Sequence, residues 1–421
     1  MHRRLGGLAA LLLVAVACSS RANEVAEVID PTLSDDPVAW SDCGNIECGR
    51  FTVPLDHQAG ETSGVTDLVV YRRRGREGSA PLVLVGPRVR PVLGETRWGA
   101  RSLAERAELL LGREVNNYDV IAVALRGSHD MPMPDGAEAL VGALDVADDL
   151  ELLRREGLGV DSVRALGWGD GATAVTAWVV QRPGSVKSVV VDSPVDPTRG
   201  LRSQEDARLS AAATAAERAV RWCASHLSCP VNASPTDNIE LLLERIDQGN
   251  APDGVNETVL ARAADVALSA GKPNDLWRAI SEAAARRGDV MAGIAGPTLT
   301  TFEAAPTCRD AGTAASELLA RHDVGRGRYF TVGARRELLA LCQGGSWGDR
   351  GLGSVAAARA AMNLPVLVMA SQTDPVVPAT VARSLAEKFE WSWRAATSSR
   401  HLVVGVDRAA TRAAMAHLSG D

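Results

Sequence analysis

The stretch Val163-Arg-Ala-Leu-Gly167-Trp168-Gly169-Asp170-Gly171-Ala172 constrains the fold of this chain more than any other. An apolar strand pattern, Val163–Leu166, runs through alternating glycines straight into an apolar helix pattern, Ala172–Gln181. A strand that turns directly into a helix, with both elements apolar, belongs to a sheet covered by helices. The spacing of Gly167, Gly169 and Gly171 marks a turn that is crowded by backbone or takes a positive φ.

The same alternation continues on either side. Strand patterns at Leu68–Arg72, Leu82–Val85, Val120–Leu125 and Val186–Val191 are separated by helix patterns at Trp98–Leu111 and Asp145–Glu156. Short apolar strands between helices predict a mostly parallel sheet with helices on both faces. From about Pro197 to Ala360 the strands vanish, and Arg208–His226, Ile239–Ile246, Thr258–Leu268 and Leu276–Arg286 show helical spacing. Strand patterns return at Pro365–Ala370 and Trp393–Ala396, around a helix at Pro378–Phe389. These patterns predict one α/β core, 38–196 and 361–421, interrupted by a helical cap insertion, 197–360. No internal repeat or low-complexity linker argues for separate modules.

The N-terminus reads as an export signal. His2-Arg3-Arg4 precedes the apolar run Leu5–Ala17, which is too short to span a bilayer. Ala15-Val16-Ala17-Cys18 resembles a bacterial lipobox, so Cys18 is expected to be acylated and to anchor the mature chain to the outer face of the cell membrane. Residues 18–37 would form a flexible polar leader. Six more cysteines remain: Cys43, Cys48, Cys223, Cys229, Cys308 and Cys342. An even number in an exported chain suggests disulfides. Spacing suggests Cys43–Cys48, Cys223–Cys229 and Cys308–Cys342, although six cysteines allow many pairings. With no C-x-x-C pair, a metal is not expected. A formal net charge of −7 argues against a nucleic-acid partner. No phosphate-binding glycine loop follows a strand, so no nucleotide cofactor is expected either.

The turn at Gly169 has the layout of the strand–elbow–helix motif G-x-S-x-G, whose central Ser sits on a strained, exposed turn. Here the flanking glycines are present and the central residue has no side chain. Other segments fall into a pattern around it. Cys43–Cys48 is followed by Phe51-Thr-Val-Pro-Leu-Asp56, and Tyr118-Asp-Val-Ile121 leads to Arg126-Gly127. After the elbow come Val189-Val-Val-Asp-Ser-Pro-Val-Asp-Pro197, Trp222-Cys223, Asn274-Asp-Leu-Trp277, Cys308-Arg-Asp310, and Cys342 with Trp347. The series ends with Pro365-Val-Leu-Val368, Thr373-Asp374-Pro375, and His401 before a final helix. In this order, over nearly the whole mature chain, they resemble secreted α/β-hydrolases of the tripeptidyl-aminopeptidase type, relatives of proline iminopeptidases, including that group's C-terminal region.

The resemblance implies an α/β-hydrolase fold and a site made of an elbow Ser, an Asp after the penultimate strand and a His after the last. Carried over by position, these are Gly169, Asp374 and His401. His401 would be the general base and Asp374 the carboxylate that fixes its tautomer. A displaced nucleophile at Asp170 would put Trp168 and Ala172 at the crowded flanking positions, where Trp168 does not fit. Ser193 could face the same crevice, but a surface turn-capping Ser is the simpler expectation. His129 reads as a loop histidine with no identifiable partner.

A second departure is the loop Gly86-Pro87-Arg88-Val89-Arg90-Pro91-Val92-Leu93-Gly94. The resemblance implies a glycine-rich loop here, whose backbone N–H groups help stabilise an oxyanion. Bulky and cyclic residues stand instead. The surroundings of Arg126-Gly127 have drifted as well. The expectation is a catalytically impaired pseudo-hydrolase that binds a peptide, lipid or protein partner, with a pocket between sheet and cap for a peptide or small molecule. The alternative is an active serine-type exopeptidase or esterase with a displaced nucleophile.

Overall fold

The computed structural model of the chain describes residues 38–88, 98–231, 234–314, 317–318, 332–343 and 345–420. The expected signal, Cys18, the leader and Val89–Gly94 lie outside them. Strands β1 (Ala39–Asp42), β2 (Glu47–Pro54) and β3 (Val65–Arg73) form an antiparallel meander. Six further strands run parallel to one another: β4 (Ala80–Val85), β5 (Tyr118–Val123), β6 (Val163–Trp168), β7 (Val186–Asp192), β8 (Val366–Ser371) and β9 (Ser392–Ala396). All nine make one sheet in the order β1-β2-β3-β5-β4-β6-β7-β8-β9.

That order places the site. From β4 the chain steps to β5 on one side, then crosses back to β6 on the other. Ligand crevices of open α/β sheets form outside the carboxyl ends of the strands at such a reversal. Gly169 is the residue that follows β6. The central strands are near-continuous runs of Val, Leu and Ala because helices cover both their faces. β1 and β2, which the apolar patterns did not predict, lie at the antiparallel edge, where one face meets solvent and polar residues interrupt the run.

Core helices are α1 (Ala100–Glu105), α2 (Ala107–Leu111), α3 (Ala143–Leu152) and α4 (Asp170–Gln181). The expected single helix over Trp98–Leu111 is broken at Arg106, whose φ of −111° and ψ of 14° leave the helical region. The insertion contributes α5 (Arg202–Ser225), α6 (Pro235–Asp247), α7 (Glu257–Ser269), α8 (Pro273–Ala284), α9 (Asp289–Ala295), α10 (Thr301–Ala311) and α11 (Val332–Ala340). Two core helices follow, α12 (Ala379–Phe389) and α13 (Arg408–Ser419). Helices α5–α9 enclose an apolar core of their own, with Leu242, Leu260, Trp277 and Met291 at its centre. By contrast Ala304, Cys308, Leu339 and Trp347 join the main core, so the second half of the insertion is packed into the α/β body. Cysteines pair as 43–48, 223–229 and 308–342, the chemistry of an oxidising, extracytoplasmic compartment.

Candidate functional site

The elbow holds its shape without a side chain at its apex. Gly169 has φ 53° and ψ −117°, a conformation that L residues rarely adopt. Its N–H donates to the Asp192 carbonyl at 2.9 Å, extending the β6–β7 ladder by one residue. A Cβ on Gly171 would press into the carbonyl oxygens of Val85 and Gly86, and one on Gly167 would stand 2.7 Å from Cα of Ala172. Both flanking glycines are therefore obligatory. Asp170 is the first residue of α4, its side chain 57% exposed and 3.9 Å from Arg88, away from the apex. Trp168, which an elbow centred on Asp170 would crowd, is fully buried and donates its indole N–H to the Val404 carbonyl at 3.1 Å.

Asp374 lies buried in the turn after β8, and His401 in the loop after β9. Although far apart in sequence, they meet: Nδ1 of His401 lies 2.9 Å from Oδ2 and 3.1 Å from Oδ1 of Asp374. The carboxylate is pinned from below, Oδ1 accepting the N–H groups of Val376 and Val377 at 2.8 and 2.9 Å. This orientation leaves Nε2 facing Gly169. A Cβ built on Gly169 would lie 3.4 Å from His401 Nε2, 3.3 Å from Cβ of Pro87 and 3.6 Å from Cδ2 of Leu402. Among the described residues Nε2 has no hydrogen-bond partner. Burial disfavours the imidazolium, but the charge and hydrogen bond of Asp374 outweigh it and hold the His401 pKa above its ordinary value, with Asp192 and Asp170 adding to the rise.

Two residues at the end of β7, Asp192 and Ser193, complete the support. Ser193 is fully buried, which corrects the expectation of a surface cap. Its hydroxyl oxygen lies 2.9 Å from Asp374 Oδ2 and 3.1 Å from Asp192 Oδ1, so its one proton is shared between the two carboxyl groups. Asp192 is also fully buried, and its Oδ2 accepts the N–H groups of Val403 and Val404 at 2.6 and 2.7 Å, tying down the histidine loop. Burial pushes its pKa up to about 6, against the opposing pull of those two N–H groups and His401. A carboxylate at the end of the apolar run Val189–Val191, comparable to Asp374 in the turn after β8, is the signal that could have found it.

The helices between β7 and β8 reach the same place. Arg218 on α5 donates to the carbonyl of Thr373, next to Asp374, at 2.7 Å. The N–H of His401 donates to the carbonyl of Ser269, the last residue of α7, at 2.8 Å. On the other side of the elbow, Arg88 turns its buried guanidinium to the carbonyls of Val141 and Arg126, and burial depresses its pKa. Pro87, in contact range of the apex, has no N–H to offer an oxyanion. His129 is exposed, and with Ser128, Pro87 and Trp98 it lines a small crevice behind this loop. No cluster of three or more His, Cys, Asp or Glu that could hold a metal ion occurs among the described residues.

No protein-family model matches the sequence. The curated relatives include the serine protease Hip1 of Mycobacterium tuberculosis and of Mycobacterium bovis, each 23% identical, with 68% of this chain and 67% of that protein covered. Among solved structures, a probable hydrolytic enzyme of Pseudomonas aeruginosa is 13% identical with a TM-score of 0.43, covering 91% of this chain and 99% of that one. Naproxen esterase of Bacillus subtilis is 14% identical with a TM-score of 0.41, covering 90% and 92%. A parallel sheet of this order, an elbow after β6, an Asp after β8 and a His after β9 are the arrangement of one fold. The chain has the α/β-hydrolase fold and is distantly similar in sequence to the Hip1 serine protease.

Proposed function

We propose that this chain is a lipid-anchored, extracytoplasmic hydrolase-fold protein that forms no acyl-enzyme and binds a peptidyl or acyl ligand between sheet and cap. The observation that carries the reading is Gly169: a side chain there would lie 3.4 Å from His401 Nε2, where a triad nucleophile belongs. Loss of such a nucleophile costs about a million-fold in turnover. Loss of one oxyanion donor, as Pro87 implies, costs a further ~10²–10³. Neither substitute nucleophile is favoured by the geometry, because Asp170 sits on the helix and the Ser193 hydroxyl is committed to two carboxylates.

The ligand reading rests on the cap. Arg218 and Ser269 bring α5 and α7 against the loops of Asp374 and His401, so the helices between β7 and β8 border the dyad. Anchoring rests on Cys18 after its short apolar run. The test offers the full chain aminoacyl and short-peptide nitroanilides. Absence of amide cleavage is the expected result. Cleavage that disappears in His401→Ala would overturn the reading.

A further inference from the structure

We infer that the Asp374–His401 pair works directly on water, so that the site hydrolyses activated acyl esters, aryl esters or thioesters by direct attack of water, with no acyl-enzyme. The inference rests on the reading that Gly169 leaves the site without its own nucleophile. Without a side chain, the space on the Cβ side of Gly169 stays open towards Nε2, which lies 3.4 Å from where a Cβ would stand; a water oxygen there, in van der Waals contact with the Gly169 Cα and so beyond the Cβ position, faces the imidazole. A water there takes the place of a serine hydroxyl. The elbow, the two-oxygen grip of Asp374 on Nδ1 and the clamps from Ser193 and Asp192 hold the imidazole in the orientation this requires.

The step balances without any further reactant. Nε2 accepts a proton from the water as its oxygen bonds to the acyl carbon, and the carbonyl electrons move onto oxygen. As the tetrahedral intermediate collapses, the bond to the leaving oxygen or sulfur breaks, and Nε2–H returns the proton to it. The products are the free acid and the alcohol or thiol. Among the described residues no side chain caps the start of α4, and its N–H groups are donors available to the oxyanion. Since Pro87 adds none, only substrates with good leaving groups fall within reach, and amides do not.

Nε2 must be neutral to act as base. The charged groups facing His401 are Asp374 from the β8 turn, Asp192 from the end of β7, Asp170 from the start of α4 and its neighbour Arg400; the three carboxylates raise its pKa. The rate therefore climbs with pH through a value above the ordinary histidine pKa and levels off once the imidazole is neutral.

The test follows 4-nitrophenyl acetate and an acyl thioester with the full chain, by rapid mixing and by intact mass. The expected outcome is steady turnover without a burst or acyl adduct, falling ~10²–10⁴-fold in His401→Gln. Gly169→Ala, whose methyl intrudes between Cα and the space for the water, should lose turnover as well, with circular dichroism confirming its fold. If that variant does not fold, the His401→Gln comparison and the adduct search decide alone. Turnover unchanged by His401→Gln, or none above buffer, overturns the inference while leaving the proposed function standing. An acyl adduct on any side chain overturns both.

Discussion

The hydroxyl of Ser193 donates to Oδ2 of Asp374 at 2.9 Å, from a backbone held at φ 59°. A non-glycine residue accepts that conformation only where surroundings over-determine it. Ser193→Ala removes a hydrogen bond to a buried charged group and keeps the strain, so it should destabilise the protein by about 1.5–3 kcal/mol. Ser193→Gly relieves the strain and should recover about 1 kcal/mol of that loss. Denaturant unfolding of the pair checks both values, and equal stabilities would show that the strain is absent.

Asp192 gives the molecule a pH dependence of defined sign. Its folded pKa of about 6 lies above the ordinary carboxylate value of 3.8, so the native state holds the proton more tightly. Stability contributed by this group falls as pH rises from about 4 to about 6 and is level above that. Asp310, pushed to about 7 by burial, adds a slope of the same sign up to its own pKa. Asp192→Asn keeps an acceptor for Val403 and Val404 and removes the charge. Its stability relative to the native chain should therefore improve across pH 4 to 6. Removing the charge should also lower the His401 pKa, which the imidazole proton shifts report by NMR.

Arg126, Asp149 and His57 form a fully buried network behind the site. Asp149 accepts from Arg126 Nε at 2.6 Å and Nη2 at 2.7 Å, and lies 2.7 Å from His57 Nε2. Burial opposes its charge, yet Arg126 and His57 hold its pKa below the ordinary value. Asp149→Ala leaves a guanidinium buried and unpaired, at an expected loss of about 3–5 kcal/mol in thermal or denaturant unfolding.

The disulfide Cys308–Cys342 closes a loop with a sequence separation of 34, against 5 and 6 for the other two. On the chain-entropy account its removal costs roughly 4 kcal/mol. The next residues, Arg309 and Asp310, bond to Asp145 and to the N–H of Ala143 at the start of α3, so that contact should loosen too. The Cys308→Ala, Cys342→Ala double variant should show the drop in stability together with faster amide exchange at Ala143.

The legible parts of the site were those encoded by local spacing. Gly167 and Gly171 fixed the register of the elbow, because the backbone of Val85, Gly86 and Ala172 excludes a Cβ at either position. Asp374 was conspicuous beside Pro375 after a strand, and His401 before the final helix. Ser193 stands out only as a residue that could face the crevice, and Asp192 not at all, since Ser and Asp are ordinary turn formers and their partners lie 181 and 211 residues away in the sequence. The break at Arg106 was hidden for the opposite reason: the apolar pattern of Trp98–Leu111 runs on through a residue whose backbone leaves the helix.

The missing side chain of Gly169 is best probed by intact-mass spectrometry after fluorophosphonate treatment, with the native chain and Gly169→Ser side by side. No adduct on the native chain and a single adduct on the introduced serine, lost again when His401→Ala is added, are expected. An adduct on any residue of the native chain would contradict this expectation, as would a folded Gly169→Ser variant that stays unlabelled.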